Sequence, residues 1–218
     1  MSLQADLEAQ RAASQARLGP EVAKVMGDDI AALQGQAAKA LRAGARFPAL
    51  TLPNQVGSPV DIGALAADGP LAVVFYRGGW CPYCNIELRA YQQRLGDFRA
   101  RGARLVAVTP ELPDHSLATA EKNGLAFDIL TDAGGRLADA LGIRFELSPQ
   151  VEALYAKFGN DLPKRNGDSR WSLPFPATYV VAKGGVILLA EVNADYRTRL
   201  DPQAALDALD AQGAKSAA

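Results

Sequence analysis

The chain has little with which to hold a metal or to build a scaffold of disulfides. Its 218 residues include two cysteines, one histidine, two methionines and two tryptophans. Both cysteines fall in one stretch, Cys81-Pro82-Tyr83-Cys84, which is not the framework of a small secreted protein. No second Cys/His pair is present to complete a zinc site within the chain, so no metal is expected. A positive excess is missing too. Lys+Arg is 23 and Asp+Glu is 24, for a formal charge of -1, which gives no argument for nucleic acid or an anionic membrane. No apolar run is long enough to span a bilayer. Met1-Ser2-Leu3-Gln4-Ala5-Asp6 lacks the basic and apolar regions of an export signal. A cytoplasmic address follows as the expectation. The glycines form no phosphate-cradling fingerprint, so no nucleotide or flavin cofactor is expected.

What remains is a composition that folds in water, 49% hydrophobic and 22% charged. Residues 1–44 suggest a helical extension. Val22, Met26, Ile30, Leu33, Ala37 and Leu41 recur at helical steps and form one apolar stripe, preceded by a more polar helix ending at Gly19-Pro20. The stripe needs a cover, either the main domain or a second subunit of a homodimer. Residues 45–218 change texture. Short strands are expected around the turn Pro53 to Gly57. Buried strands are expected at Leu71–Tyr76 and Arg104–Thr109, and a shorter strand at Phe127–Leu130. Thr178–Ala182 and Val186–Ala190 flank Lys183-Gly184-Gly185 as a hairpin. Helices are expected over Pro82–Ala100, around Leu117–Asn123, up to Gly142, within Pro149–Phe158 and over Pro202–Leu209. This order gives an α/β fold, a mixed central sheet with helices on both faces.

The cysteine pair carries the chemistry. Pro82 suits the first helical position, which makes Cys81 the N-cap, where free N–H groups and the helix dipole acidify a thiol. Cys84 shares a face with Leu88, Tyr91, Leu95 and Phe98, so it is expected to point inward while Cys81 sits at the exposed tip. On this reading Cys81 attacks and Cys84 resolves. Two structural cysteines, or half of a zinc site shared between subunits, are the alternatives. Arg77 precedes Gly78-Gly79 and either favours the thiolate or is an ordinary surface arginine. Trp80 either walls the site or packs on the domain. His115 is expected to be a solvated loop residue, and Asp195-Tyr196-Arg197, after the last strand, is either a surface turn or a loop that reaches the edge of the site.

The segment Phe75-Tyr76-Arg77-Gly78-Gly79-Trp80-Cys81-Pro82-Tyr83-Cys84 resembles the active-site segment of the thioredoxin superfamily, and more closely its peroxiredoxin-like branch, the alkyl hydroperoxide reductase and thiol-specific antioxidant group. The resemblance covers roughly Ala45 to Leu209. It implies a thioredoxin fold and a thiol oxidoreductase that reduces peroxides or disulfides and is itself reduced by a thioredoxin or glutathione system. It also brings two alternatives, an endoperoxide reductase of the prostaglandin type and a redox-sensing module without turnover. By the same resemblance Leu173-Pro174-Phe175-Pro176-Ala177-Thr178-Tyr179 is similar to the segment that carries a cis-proline, so Pro176 is expected to be cis and opposite the cysteines. The typical peroxiredoxin segment, Phe-Tyr-Pro-x-x-x-Thr-x-x-Cys, is altered. Arg77 stands at its Pro, Cys81 at its Thr and Cys84 at its peroxidatic Cys, while Pro176 stands at the usual late Arg. The peroxiredoxin register therefore makes Cys84 the nucleophile, where the helix-start argument makes it Cys81.

Overall fold

The computed structural model describes residues 2–216, with side chains through residue 214. Helix α1 (Leu3–Ala37) is kinked where Gly19 leaves the helical region at φ 72, ψ 165, directly before Pro20. Glycine ends the first half without strain and proline opens the second at no hydrogen-bond cost. A short hairpin follows, β1 (Thr51–Pro53) with β2 (Pro59–Asp61), then α2 (Ile62–Asp68) and β3 (Leu71–Phe75). Next come α3 (Pro82–Gln93), α4 (Leu95–Ala100), β4 (Arg104–Thr109), α5 (Pro113–Asn123) and β5 (Asp128–Thr131). A 3-10 turn at Ala133–Gly135 leads to α6 (Arg136–Leu141), β6 (Arg144–Glu146), α7 (Pro149–Lys157) and α8 (Leu162–Asn166). The chain closes with β7 (Ser172–Pro174), β8 (Ala177–Val181), β9 (Ile187–Val192) and α9 (Pro202–Ser216).

The central sheet has the order β5-β4-β3-β8-β9. Strands β3, β4 and β5 run parallel, β8 is antiparallel to β3, and β9 is antiparallel to β8 as expected for a hairpin, so that β8 alone runs against the other four. Every residue of β3 is buried, because successive side chains of a strand covered on both faces enter two different cores. Leu71, Val73 and Phe75 join the core with Tyr179 and Val181, whereas Ala72 and Val74 join the one with Leu88, Tyr91 and Leu206. The second core carries α3 and therefore the cysteines. Gly184 and Gly185 sit at φ 91 and 89, the left-handed backbone that a tight hairpin demands.

The apolar stripe of α1 is covered by the chain's own domain. Leu3 and Leu7 enter the core beneath α3, Met26 packs with Val151, Tyr155 and Leu162, and Leu33 and Ala37 reach the opposite core. Each such burial contributes about 1.5–3 kcal/mol for a large aliphatic side chain, so the arm wraps the domain and passes the start of α3 on its way.

Three expectations need correction. The helix expected over Pro82–Ala100 breaks at Arg94, which leaves the helical region (φ -101, ψ 5) and binds Asp97 of α4 and Gln203 of α9 with its guanidinium. The elements α2, β6, β7 and α8 were not expected. The Phe175–Pro176 bond is trans, as no peptide bond among the described residues is cis. Its neighbours explain why no turn is needed there. Phe175 donates its N–H to the Ile143 carbonyl at 2.8 Å and stacks on Phe145 at 4.6 Å, and the Pro176 carbonyl accepts from Asn193 at 3.1 Å. The chain thus passes straight from β7 into β8. Among the described residues, no helix is long and apolar enough to cross a membrane.

Candidate active site

The site lies where β3 ends and α3 begins. Gly78-Gly79 bends the chain there, and the bend is tight. A Cβ on Gly78 (φ 153) would stand 2.2 Å from Trp80 Nε1 and 2.9 Å from the Glu111 carboxyl carbon, and one on Gly79 would stand 2.1 Å from Thr119 Oγ1. The Gly79 N–H donates to Glu111 Oε2 at 2.7 Å. Asn85 Nδ2 donates to the carbonyls of Gly79 and Cys81, each at 2.8 Å, and fixes the loop to the first turn of α3.

Cys81 is the N-cap of α3 and Pro82 its first residue. Cys81 and Cys84 are both free thiols and both buried, at 1% and 0% exposure. Cys84, Leu88, Tyr91, Leu95 and Phe98 all face the core as expected, but Cys81 is not an exposed tip. With Trp80, Tyr83 and Tyr196 it lines a groove of about 600 Å³.

The two thiols differ in acidity. Burial alone would raise Cys81. A hydrogen bond from the Cys84 side chain, the charges of Arg77 and Arg199 and the Cys84 backbone N–H outweigh it and bring Cys81 down to about 6. Burial raises Cys84, and the sulfur of Cys81 raises it further. The surroundings therefore favour a Cys81 thiolate beside a neutral Cys84. The charges of Arg77 and Arg199 both act on Cys81 and favour an anion there.

Arg77 is no surface residue. It is 3% exposed, with its guanidinium carbon 4.3 Å from the Tyr196 ring, 4.9 Å from Trp80 and 5.5 Å from Tyr155, and it donates to the Tyr155 hydroxyl. Trp80 meets Tyr155 edge to face at 5.3 Å, so it both walls the groove and packs. The segment after the last strand also reaches the edge of the site. Tyr196 covers Arg77 and Tyr83, while Asp195 pairs with Arg197 at 2.8 Å and with Arg11 of the arm at 3.9 Å. Pro176 lines a small cavity of about 20 Å³ with Arg77 and Tyr196, next to the groove but outside the residues that line it. His115 is linked to the site through its charge on Glu111 and through its carbonyl, which accepts from Thr119 Oγ1 at 2.8 Å.

Three residues of the site were missed in the sequence. Arg199 donates to Cys84 Sγ at 3.3 Å and to Glu87 Oε2 at 2.5 Å, and the side chains of this pair are each 1% exposed. Burial pushes the Glu87 carboxyl upward, with Arg199 opposing. Glu111 is fully buried at the end of β4. Burial pushes its carboxyl upward as well, with the Gly79 N–H, His115 and Arg165 opposing. Glu87 was visible in principle, as a charge beside Leu88 on the apolar face of α3. Arg199 lay too far along the chain to be linked to it.

A sheet of this topology, with a dithiol whose first thiol is acidified at the start of the helix after its central strand, defines a thiol oxidoreductase of the thioredoxin fold. The particular family follows from comparison. Residues 43–190 match the AhpC/TSA family, and the chain belongs to that family. It is 26% identical over 164 residues to a chloroplastic peroxiredoxin Q of Sedum lineare, covering 75% of this chain and 73% of that one. It is also 26% identical over 153 residues to a putative peroxiredoxin of Mycobacterium tuberculosis, covering 70% and 86%. Among solved structures, the peroxidoxin BcpB of Mycobacterium tuberculosis shares the fold with a TM-score of 0.62 at 21% identity, over 78% of this chain and 97% of that one. The protein is thus a peroxiredoxin-like member of the thioredoxin superfamily. The whole of α1 precedes the matched residues.

The acidity of Cys81 has a direct consequence. A folded value of about 6, below the usual thiol value of about 8.5, means that the folded protein favours the thiolate. That stabilisation is complete above the unfolded value and is lost as pH falls through 6. Alkylation of Cys81 in the Cys84→Ser variant is expected to rise through about pH 6 and level off by pH 8, because serine still donates. Cys84→Ala, which cannot donate, is expected to move the midpoint upward. Equal midpoints in the two variants would remove the Cys84 hydrogen bond as a cause.

Proposed function

We propose that this protein reduces hydroperoxides, with Cys81 as the attacking thiolate and Cys84 as the resolving thiol. The observation that carries the reading is the acidified Cys81 lining an open groove, with Cys84 held neutral outside it. Cys81 Sγ attacks the terminal peroxide oxygen. An S–O bond forms, the O–O bond breaks, and the departing oxygen takes up a proton to leave as water or an alcohol. Arg77 stands beside Cys81 without a carboxylate partner among the described residues, where it can stabilise the charge that develops on that oxygen. Trp80 and Pro82 shape the entrance, and Pro176 supports the cavity wall behind Arg77. The Cys84 thiol then loses its proton and attacks the Cys81 sulfenic acid. An S–S bond forms and hydroxide leaves as water. Two electrons from a thioredoxin or glutathione system in a reducing compartment such as the cytoplasm restore the dithiol.

The peroxiredoxin register, in which Cys84 attacks, is less well supported. Cys84 is fully buried, does not line the groove, and is held neutral by burial and by Cys81. Reduced protein mixed with one equivalent of hydrogen peroxide or cumene hydroperoxide tests the reading. Both thiols are expected to disappear together and to return with dithiothreitol, with multiple turnovers when dithiothreitol is in excess. A single oxidation without turnover would make the pair a sensor, and two thiols still free in folded protein would end the redox reading.

A further inference from the structure

The groove above Cys81 is much larger than hydrogen peroxide needs. A water molecule occupies about 30 Å³ of liquid, so the groove of about 600 Å³ has room for a ligand of ordinary organic size. Its walls are apolar. Leu18, Val22 and Met26 of α1 share it with Trp80, Tyr155 and Phe158, and Phe158 is 46% exposed although aromatic. The charges that line it have one sign. Arg17 of α1, Lys157 at the end of α7 and Arg77 all line it, and no aspartate or glutamate does, in a chain whose formal charge is -1. Arg17 and Lys157 are exposed and belong to none of the ion pairs among the described residues. Arg77 Nε is buried without a hydrogen-bond partner.

Resting on the peroxidase reading above, we propose that the groove selects amphipathic anionic hydroperoxides, in which an apolar chain joins the hydroperoxide to a carboxylate, and that Arg17 and Lys157 hold the carboxylate. The apolar body lies along Leu18, Val22, Phe158 and Tyr155. The hydroperoxide reaches Cys81 and Arg77. The product is the matching hydroxy acid, one oxygen poorer, with the second oxygen passing through the Cys81 sulfenic acid into water. Because Arg17 and one apolar wall come from α1, outside the residues that match the family, the selectivity is a property of the arm and not of the shared domain.

Steady-state kinetics with the full chain and dithiothreitol test this, using hydrogen peroxide, the hydroperoxide of a long-chain unsaturated carboxylic acid below its micellar concentration, and the methyl ester of that hydroperoxide. The ester keeps the chain and the peroxide and loses only the charge. The acid is expected to exceed the ester in kcat/KM by roughly three- to tenfold, the size of contacts from one or two exposed cations. The preference is expected to act through KM and to shrink as salt is raised. Arg17→Gln with Lys157→Gln is expected to bring the acid-to-ester ratio towards one. Turnover with equal rates for acid and ester, or a preference that survives the double substitution, would overturn the proposal alone. No turnover with any of the three substrates would overturn the peroxidase reading and the proposal together.

Discussion

Cys81→Ser is expected to lower peroxide turnover to background, whereas Cys84→Ser is expected to permit one oxidation per chain and then stop. The difference follows from access and acidity. With a pKa of about 6, Cys81 is roughly nine-tenths thiolate at pH 7, while an ordinary thiol contributes a few per cent. Cys84 has the opposite surroundings, being raised by burial and by its neighbour. Serine at 81 therefore removes the nucleophile and leaves a thiol that neither meets the groove nor ionises readily. Serine at 84 leaves the nucleophile in place, with a hydroxyl that still donates to it, and removes only the group that resolves the adduct. Mass spectrometry after one equivalent of peroxide distinguishes the two. A sulfenic acid on Cys81, trapped by dimedone, is the expected adduct in Cys84→Ser. An adduct on Cys84 in the Cys81→Ser variant, formed at an undiminished rate, would favour the peroxiredoxin register and sink this assignment.

The parts of the molecule legible in the sequence are those set by local chemistry. Strands β3 and β4 were visible as uninterrupted apolar runs, since strands buried on both faces admit no polar alternation. The start of α3 was visible because proline is tolerated at a first helical position and few others. The arm's stripe was visible at its 3–4 spacing, but not its cover, because periodicity says that a face is buried and not by what. The three-residue strands β6 and β7 are too short for any period to register. The trans bond at Pro176 was missed because the resemblance supplied the cis expectation, whereas the bond is governed by the pairing of Phe175 with Ile143 and by its stacking on Phe145. The site shows the same division. Cys81 and Cys84 stand together in sequence, while Glu87 and Arg199 are separated by 112 positions. Asp195-Tyr196-Arg197 looked like a polar turn because each residue has a solvent-compatible side chain, and only the fold puts the Tyr196 ring over Arg77.

Arg199→Met is expected to destabilise the protein by about 3–5 kcal/mol, the usual result of removing one member of a buried ion pair. Arg199 and Glu87 meet at 2.5 Å with both side chains 1% exposed, so the substitution strands the Glu87 carboxyl in the core beside Cys84. That carboxyl then escapes the penalty only by taking up a proton. A carboxyl raised above its unfolded value of about 4.3 contributes stability that is fully present below that value and is lost as pH rises towards the folded one. Arg199→Met is therefore expected to lose more stability at pH 8 than at pH 5 in urea unfolding. The double variant Arg199→Met with Glu87→Leu removes both charges together and is expected to recover most of the loss, because a buried pair is often replaceable by apolar side chains. It is not expected to recover the chemistry. Arg199 also helps to hold Cys81 as thiolate, so the alkylation midpoint of Cys81 should stay raised in both variants. Recovery of stability without recovery of acidity would separate the two tasks of this arginine. A single and a double variant of equal stability would show instead that Glu87 is not stranded, and that the ion pair contributes through Arg199 alone.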